Sequence, residues 1–275
     1  MKGIIVADGA DARLHPITLA VPRQLLPVGG KPLIYYPLSV LVLAGIRNIL
    51  VMAAAADLPQ IRRLLGDGSQ LGLAIDYAGQ DRAGGPVEAF IIGADHIGDE
   101  NVAVIVDDNI FHGHQLSDLL EHHAHDVPGC VLFRWSNRAI TGLYFYHSDV
   151  VDLAKELVLS EQGKRDIAGL NRAYSDRGRT RLVDLGRGFA WFDAATPESL
   201  MRASQYIHAL EERQGVRIAC LEEVALRMGF ITAEACHRLG ARLAKSEYGQ
   251  YVMAVAQEPS PQKETAALLM AGIRR

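Results

Sequence analysis

Residues able to do chemistry gather after three apolar runs: Asp8-Gly9-Ala10-Asp11-Ala12-Arg13 after Gly3–Ala7, Gln80 after Ala74–Ala78, and Asp107-Asp108-Asn109 after Val102–Val106. Carboxylates can hold hard cations, arginines neutralise phosphate, and amides both donate and accept hydrogen bonds. A second concentration, His112, His114, His122, His123 and His125, invites a metal reading. His122 and His125 share a helix face, but no third ligand is set by spacing, so a solvated helix is the preferred reading. Cys130, Cys220 and Cys236 lie far apart with no CxxC pair, which argues against both a zinc site and a disulfide framework.

Those loops gain meaning from the elements that hold them. Short apolar strands (Gly3–Ala7, Asn48–Ala53, Ala74–Ala78, Val102–Val106) alternate with helical stretches (Leu33–Ala44, Leu58–Leu65, Val87–Ile97), which predicts βαβ units on a mainly parallel sheet. Ligands of such sheets collect beyond the carboxyl ends of the strands, where the three polar loops fall. Farther on, Gly129–Trp135, Gly142–Tyr146 and Phe189–Phe192 read as strands, and Thr196–Arg213 and Leu221–Met228 as helices. The expected organisation is an α/β domain over residues 1–200, a helical C-terminal portion over 201–256, and a tail over 257–275 that opens with Glu258-Pro259-Ser260-Pro261.

The 275 residues carry a net charge of −4, without the basic footprint expected of a nucleic-acid or acidic-membrane binder. The apolar run from Pro32 to Ile46 contains Pro37 and is too short to span a bilayer, so it reads as a buried helix. The strand-like opening does not resemble an export leader, and a cytoplasmic protein with a small-molecule partner is the expectation.

The opening Met1–Ala7 with Arg13-Leu14-His15-Pro16-Ile17-Thr18 resembles the first strand and loop of the glucose-1-phosphate thymidylyltransferases, a family of sugar nucleotidyltransferases. Similar segments follow in order: Gln24–Val28, Lys31–Ser39, Leu65–Gln70, Asp108–Phe111, Thr141–Tyr146 and Glu211–Gly215, so the likeness covers the chain to about Tyr251. The resemblance implies a Rossmann-like three-layer nucleotidyltransferase fold, a mixed GT-A-like sheet flanked by helices. It also implies that dTTP and a sugar 1-phosphate form a dTDP-sugar and pyrophosphate with Mg2+.

Residue by residue, the resemblance assigns phosphate neutralisation to Arg13 and Arg23, and nucleotide contacts to Gly9, Arg13, Gln24, Gln80, Gly85 and Asn109. It assigns magnesium to Asp108 and Asp193, and the sugar site to Ile140 and Tyr144, which also read as plain core residues. A secondary nucleotide site is implied at Gly113, His114, Gly186, Arg187, Gly188 and Glu222, with a homotetramer as the assembly.

Four departures weigh against intact catalysis. Asp8 and Asp11 stand where the family has glycines whose backbone approaches the triphosphate, and like charges at about 4 Å repel by roughly 1 kcal/mol in water and roughly 4 kcal/mol at an effective dielectric near 20. Arg23 replaces the family's lysine, exchanging a compact ammonium for a planar fork. Asp107 replaces the glycine before Asp108. A β-rich insertion that holds the sugar and its phosphate is missing between Trp135 and Ser136.

Two readings follow. The preferred one is an impaired or inactive relative that binds nucleotide or nucleotide-sugar, such as dTTP or dTDP-glucose, or acts through a catalytic partner protein. The alternative is a working magnesium-dependent enzyme, supported by the retained Arg13, Gln80, Asp108 and Asp193.

Overall fold

The computed structural model describes residues 1–7, 12–80, 85–136, 139–157 and 166–258. In chain order the elements are β1 (Lys2–Val6), β2 (Pro27–Val28), β3 (Lys31–Pro32), α1 (Tyr35–Leu43), β4 (Asn48–Ala53), α2 (Leu58–Leu65), β5 (Ala74–Gly79), α3 (Gly85–Ile92), α4 (Ala94–Ile97), β6 (Val102–Val106) and β7 (Asn109–Gly113). They continue with α5 (Leu116–His125), β8 (Cys130–Trp135), β9 (Ala139–Tyr146), α6 (Val150–Glu156), α7 (Ile167–Asp176), β10 (Thr180–Asp184), β11 (Phe189–Asp193), α8 (Pro197–Gln214), α9 (Leu221–Arg227), α10 (Ala233–Ala241) and α11 (Glu247–Val255). Three 3-10 turns, Ala12–Leu14, Ile17–Leu19 and Arg23–Leu25, bridge β1 to β2.

Seven strands form one sheet in the order β10-β8-β9-β6-β1-β4-β5. β1 runs parallel to β4 and β6, β4 to β5, and β8 to β10, while β9 is antiparallel to both β6 and β8. The sheet is therefore mixed but mostly parallel. Its central strands, such as Val102-Ala103-Val104-Ile105-Val106, are apolar without alternation because helices cover both faces. Along β1 a Cβ on Gly3 would meet Leu41 of α1, whereas Ile4 and Val6 cluster with Val87 and Phe90 of α3. Side chains alternate across a strand, so α1 and α3 lie on opposite faces, giving three layers.

Two smaller ribbons stand outside this sheet: the β2–β3 hairpin, and β7 paired antiparallel with β11. The stretch expected as one helix over Val87–Ile97 is two, because Gly93 interrupts it and serves as the N-cap of α4. α8 begins at a capping box, in which Thr196 accepts from Ser199 N and the Ser199 hydroxyl accepts from Thr196 N, and ends at Gly215 with φ 69°.

The chain divides into two compact units. The first comprises Met1–Ser69 and Leu73–Ala219, so α8 groups with the sheet. The second comprises Gln70–Gly72 and Cys220–Arg275, of which residues to 258 are described, and its core is Cys220, Cys236, Val252 and Ala256. There α10 and α11 approach so closely that a Cβ on Gly240 would lie 2.9 Å from the Gly249 carbonyl oxygen. The tail beyond residue 258 lies outside the described residues.

Candidate active site

The site is built where strands of the first unit end. Asp107 follows β6 and is fully buried, with its backbone N–H donating to the Val6 carbonyl at 3.1 Å. Asp108 comes next, buried at 8% exposure, and Asn109 opens β7. The antiparallel register of the ribbon sets Asp193 opposite Asn109, and Ala194 N donates to the Asp108 carbonyl oxygen at 2.7 Å. Two carboxylates far apart in sequence thus adjoin at the carboxyl edge of the sheet. Asp193 is exposed, and its Oδ1 accepts from Ala195 N at 3.2 Å.

Burial raises the proton affinity of Asp108 most, and the charge of Asp107 adds to it; Arg23 pulls it back and Asp193 pushes it further, leaving the pKa pushed up to about 7. Buried carboxylates repelling one another make a natural seat for a cation, and this donor set suits magnesium, which takes one or two carboxylates with ligand oxygens and water. Among the described residues no group of three or more His, Cys, Asp or Glu could hold a metal ion, so an ion here would complete its shell with other oxygens.

Asn109 organises the floor. Its Nδ2 donates to Asp108 Oδ1 at 2.8 Å, and its Oδ1 accepts from Gly142 N at 2.9 Å and from the Trp191 indole at 2.7 Å. Tyr144, on the same face of β9 as Gly142, is buried, and its phenol is pushed up to about 12 by burial and then by the charges of Asp108 and Asp166. Ile140, farther along that face, is 41% exposed.

Arg23 is not a surface cation. It is 4% exposed, its Nε lies 3.3 Å from Asp107 Oδ2, its Nη2 pairs with Asp107 Oδ1, and its Nη1 lies 3.3 Å from Asp108 Oδ2. Gln24 is fully buried and donates its Nε2 to Asp107 Oδ2 at 2.6 Å, while its Oε1 has no partner. Gln80, just beyond β5, is also buried, and its Nε2 lacks a partner. An unmet buried donor and an unmet buried acceptor are costly unless a ligand or water meets them. Gly85 has φ 70° at the start of α3, and Arg13 sits exposed on the Ala12–Leu14 turn. Gly9, with Asp8 and Asp11, lies outside the described residues.

The expected secondary-site residues are placed apart from this floor. Gly113 ends β7, where a Cβ would meet the Phe189 ring at 2.1 Å, and His114 is exposed beside it. Gly186, Arg187 and Gly188 form an exposed link between β10 and β11. Glu222 belongs to the second unit, where Tyr248 Oη donates to it at 2.5 Å. The histidine stretch is divided among β7 (His112), the link after it (His114) and α5 (His122, His123 and His125); His112 Nδ1 lies 3.0 Å from Tyr206 Oη.

Sequence reasoning missed Trp191 and Trp135. Their rings lie 6.1 Å apart, and Trp135 Nε1 donates to the Phe189 carbonyl oxygen at 3.2 Å. The usable signal was position: Trp191 stands two residues before Asp193, and Trp135 stands at the point of the missing insertion. β8 and β9 pair there as a hairpin, Trp135 opposite Ala139.

The family model described as nucleotidyl transferase matches residues 2–133 and 125–209. A glucose-1-phosphate thymidylyltransferase of Neisseria meningitidis is 42% identical over 283 positions, covering 92% of this chain and 98% of that protein. This chain belongs to the glucose-1-phosphate thymidylyltransferase family. Another member, from Mycolicibacterium smegmatis, is 41% identical over 282 positions, with 92% of this chain and 98% of that one covered. Among solved structures of the family, a Bacillus anthracis protein assigned as a glucose-1-phosphate thymidylyltransferase, in complex with a sucrose, superposes with a TM-score of 0.69 at 30% identity. It covers 76% of this chain and 95% of that one. The Neisseria alignment spans 283 positions, whereas 92% of 275 residues is about 253, so about 30 positions of it have no residue in this family member.

Proposed function

We propose that this chain is a catalytically impaired member of the glucose-1-phosphate thymidylyltransferase family that retains nucleotide binding. The observation that carries the reading is the β8–β9 hairpin, in which Trp135 pairs with Ala139 across three intervening residues where the expected sugar-holding segment is missing. In the family reaction a sugar-phosphate oxygen attacks the α-phosphorus of dTTP, forming one P–O bond as the bond to the leaving pyrophosphate breaks. Such transfer depends on positioning and charge stabilisation, so losing the groups that place the attacking sugar phosphate removes a large share of the rate.

Nucleotide binding has its own support. Gln80 Nε2 offers a buried donor for a pyrimidine carbonyl, Gln24 Oε1 offers an acceptor, and the backbone at Gly85 is open to close approach. Asp108 and Asp193 would hold the magnesium ion, which when bound neutralises phosphate oxygens. Arg13, exposed on the Ala12–Leu14 turn after β1, is the cation that the family resemblance assigns to phosphate charge. The expected homo-oligomer, secondary nucleotide site, partner protein and cytoplasmic setting remain parts of this proposal; among the described residues no helix is long and apolar enough to cross a membrane.

The alternative is an active magnesium-dependent nucleotidyltransferase, favoured by the adjoining Asp108 and Asp193. A pyrophosphate-release assay with magnesium, a panel of nucleoside triphosphates and a panel of sugar 1-phosphates separates the readings. Release above background that disappears in Asp108→Asn establishes the enzyme and overturns the impaired reading. Calorimetric titration with dTTP and dTDP-glucose tests the binding part, which heat from neither ligand would overturn.

A further inference from the structure

We infer that Asp107 holds Arg23 away from service as a phosphate-binding cation, so that Arg23, Asp107 and Gln24 form a neutral buried unit that weakens triphosphate binding beside Asp108. This rests on the nucleotide reading above. Asp107 has no exposed surface and Arg23 has 4%. Nε and Nη2 of the guanidinium face the two Asp107 oxygens, Nη1 faces Asp108 Oδ2, and Gln24 Nε2 closes on Asp107 Oδ2. All three guanidinium nitrogens are therefore turned toward carboxylates of the chain itself.

A phosphate recruiting Arg23 would have to take it from Asp107 and leave a carboxylate in the interior without its counter-charge, which is costly. The charge balance points the same way. Among the described contacts Arg23 faces both Asp107 and Asp108, and Asp193 is close enough to add its field at Asp108, so these three carboxylates outnumber the arginine they share. The arginine is thus spent on the fold before any nucleotide arrives.

Asp107→Asn is the informative change, because it removes one negative charge with little change of shape. A Gln24 amide flip lets its Oε1 accept from the new amide, and the remaining oxygen still accepts from Arg23 Nη2, so the contact given up is the one to Arg23 Nε. Binding of inorganic tripolyphosphate and of dTTP, each with magnesium, is measured by calorimetry on the full chain, with thermal melts to verify folding.

The expected result is that Asp107→Asn binds both probes about tenfold tighter than the parent, the effect of one less repelling charge near the phosphates. The double change Arg23→Gln with Asp107→Asn should lose that gain and return to the parent's level, since it exchanges one neutral pair for another. Unchanged or weaker binding by folded Asp107→Asn overturns the inference, as does a double variant about tenfold weaker than the parent, because either means that Arg23 already serves the phosphates. If Asp107→Asn does not fold, the double variant, which leaves no lone charge at that pair, decides alone. Binding of neither probe by any of the proteins overturns the nucleotide reading along with the inference; parental binding that Asp107→Asn leaves unimproved overturns the inference alone.

Discussion

Asn109 and Trp191 meet diagonally across the β7–β11 ribbon, the indole N–H donating to the amide oxygen at 2.7 Å while that oxygen also accepts from Gly142 N. The same side chain donates to Asp108, so one amide holds the tryptophan, the β9 backbone at Gly142 and a candidate metal carboxylate in fixed relation. Asn109→Ala should cost about 1–3 kcal/mol for each buried donor left without an acceptor. Gly142→Ala should also destabilise, because its Cβ would sit 2.3 Å from the Asn109 amide nitrogen. Thermal unfolding followed by tryptophan fluorescence reads both, and melting temperatures equal to the parent's would refute this account.

Asp108 predicts a pH dependence for cation binding. With a pKa pushed up to about 7, its carboxyl is protonated below neutrality, and an incoming cation must displace the proton. Affinity for manganese, measured by electron paramagnetic resonance as a surrogate for magnesium, should rise with pH and level off above about 7. The folded state also binds this proton more tightly than the unfolded chain, so metal-free stability should fall as pH rises from about 4 to about 7. An affinity flat from pH 5 to 8 would argue against Asp108 as the ligand.

Lys31 and Glu211 form a buried ion pair at 2.7 Å that ties β3 to α8, and Glu211 also accepts from Ile218 N at 2.8 Å and Arg217 Nη1 at 3.0 Å. Lys31→Met leaves Glu211 with Arg217 as its counter-charge, so the loss should be about 1–3 kcal/mol, below the roughly 3–5 kcal/mol of a buried charge left uncompensated. The urea midpoint should fall by a corresponding amount with an unchanged slope. A midpoint within error of the parent's would show that the pair contributes little.

Thr196 accepts from Ser199 N at 3.1 Å and starts α8 three residues after Asp193. Thr196→Ala should cost about 1 kcal/mol through loss of the cap. Because the strand bearing Asp193 runs directly into this cap, manganese affinity should weaken as well. A stability loss with unaltered affinity would confine the cap's role to the helix.

Much of this architecture is legible from the chain alone. Val102–Val106 and most of Asn48–Ala53 are continuous apolar runs of the kind that a covered parallel sheet buries, and Thr196-Pro197 announces a helix start. β7 and β10 escaped notice because Asn-Ile-Phe-His-Gly and Thr-Arg-Leu-Val-Asp lack a clear period of two and owe their strand form to their partners. The family likeness named Asp108, Asp193, Gln24 and Gln80 from motifs, and it marked Arg23 and Asp107 as two separate departures.

What the sequence determined by itself was the set of reactive residue types and the apolar pattern that carries them to the strand ends. That Arg23 pairs with Asp107, 84 residues away, was decided only by tertiary structure, as was the meeting of Asp193 with Asp108 through the β7–β11 register. The physical reason is that local propensity and periodicity are properties of neighbours in sequence. A buried charge instead takes its partner from whatever the packed core brings within reach, and no spacing in the chain encodes that choice.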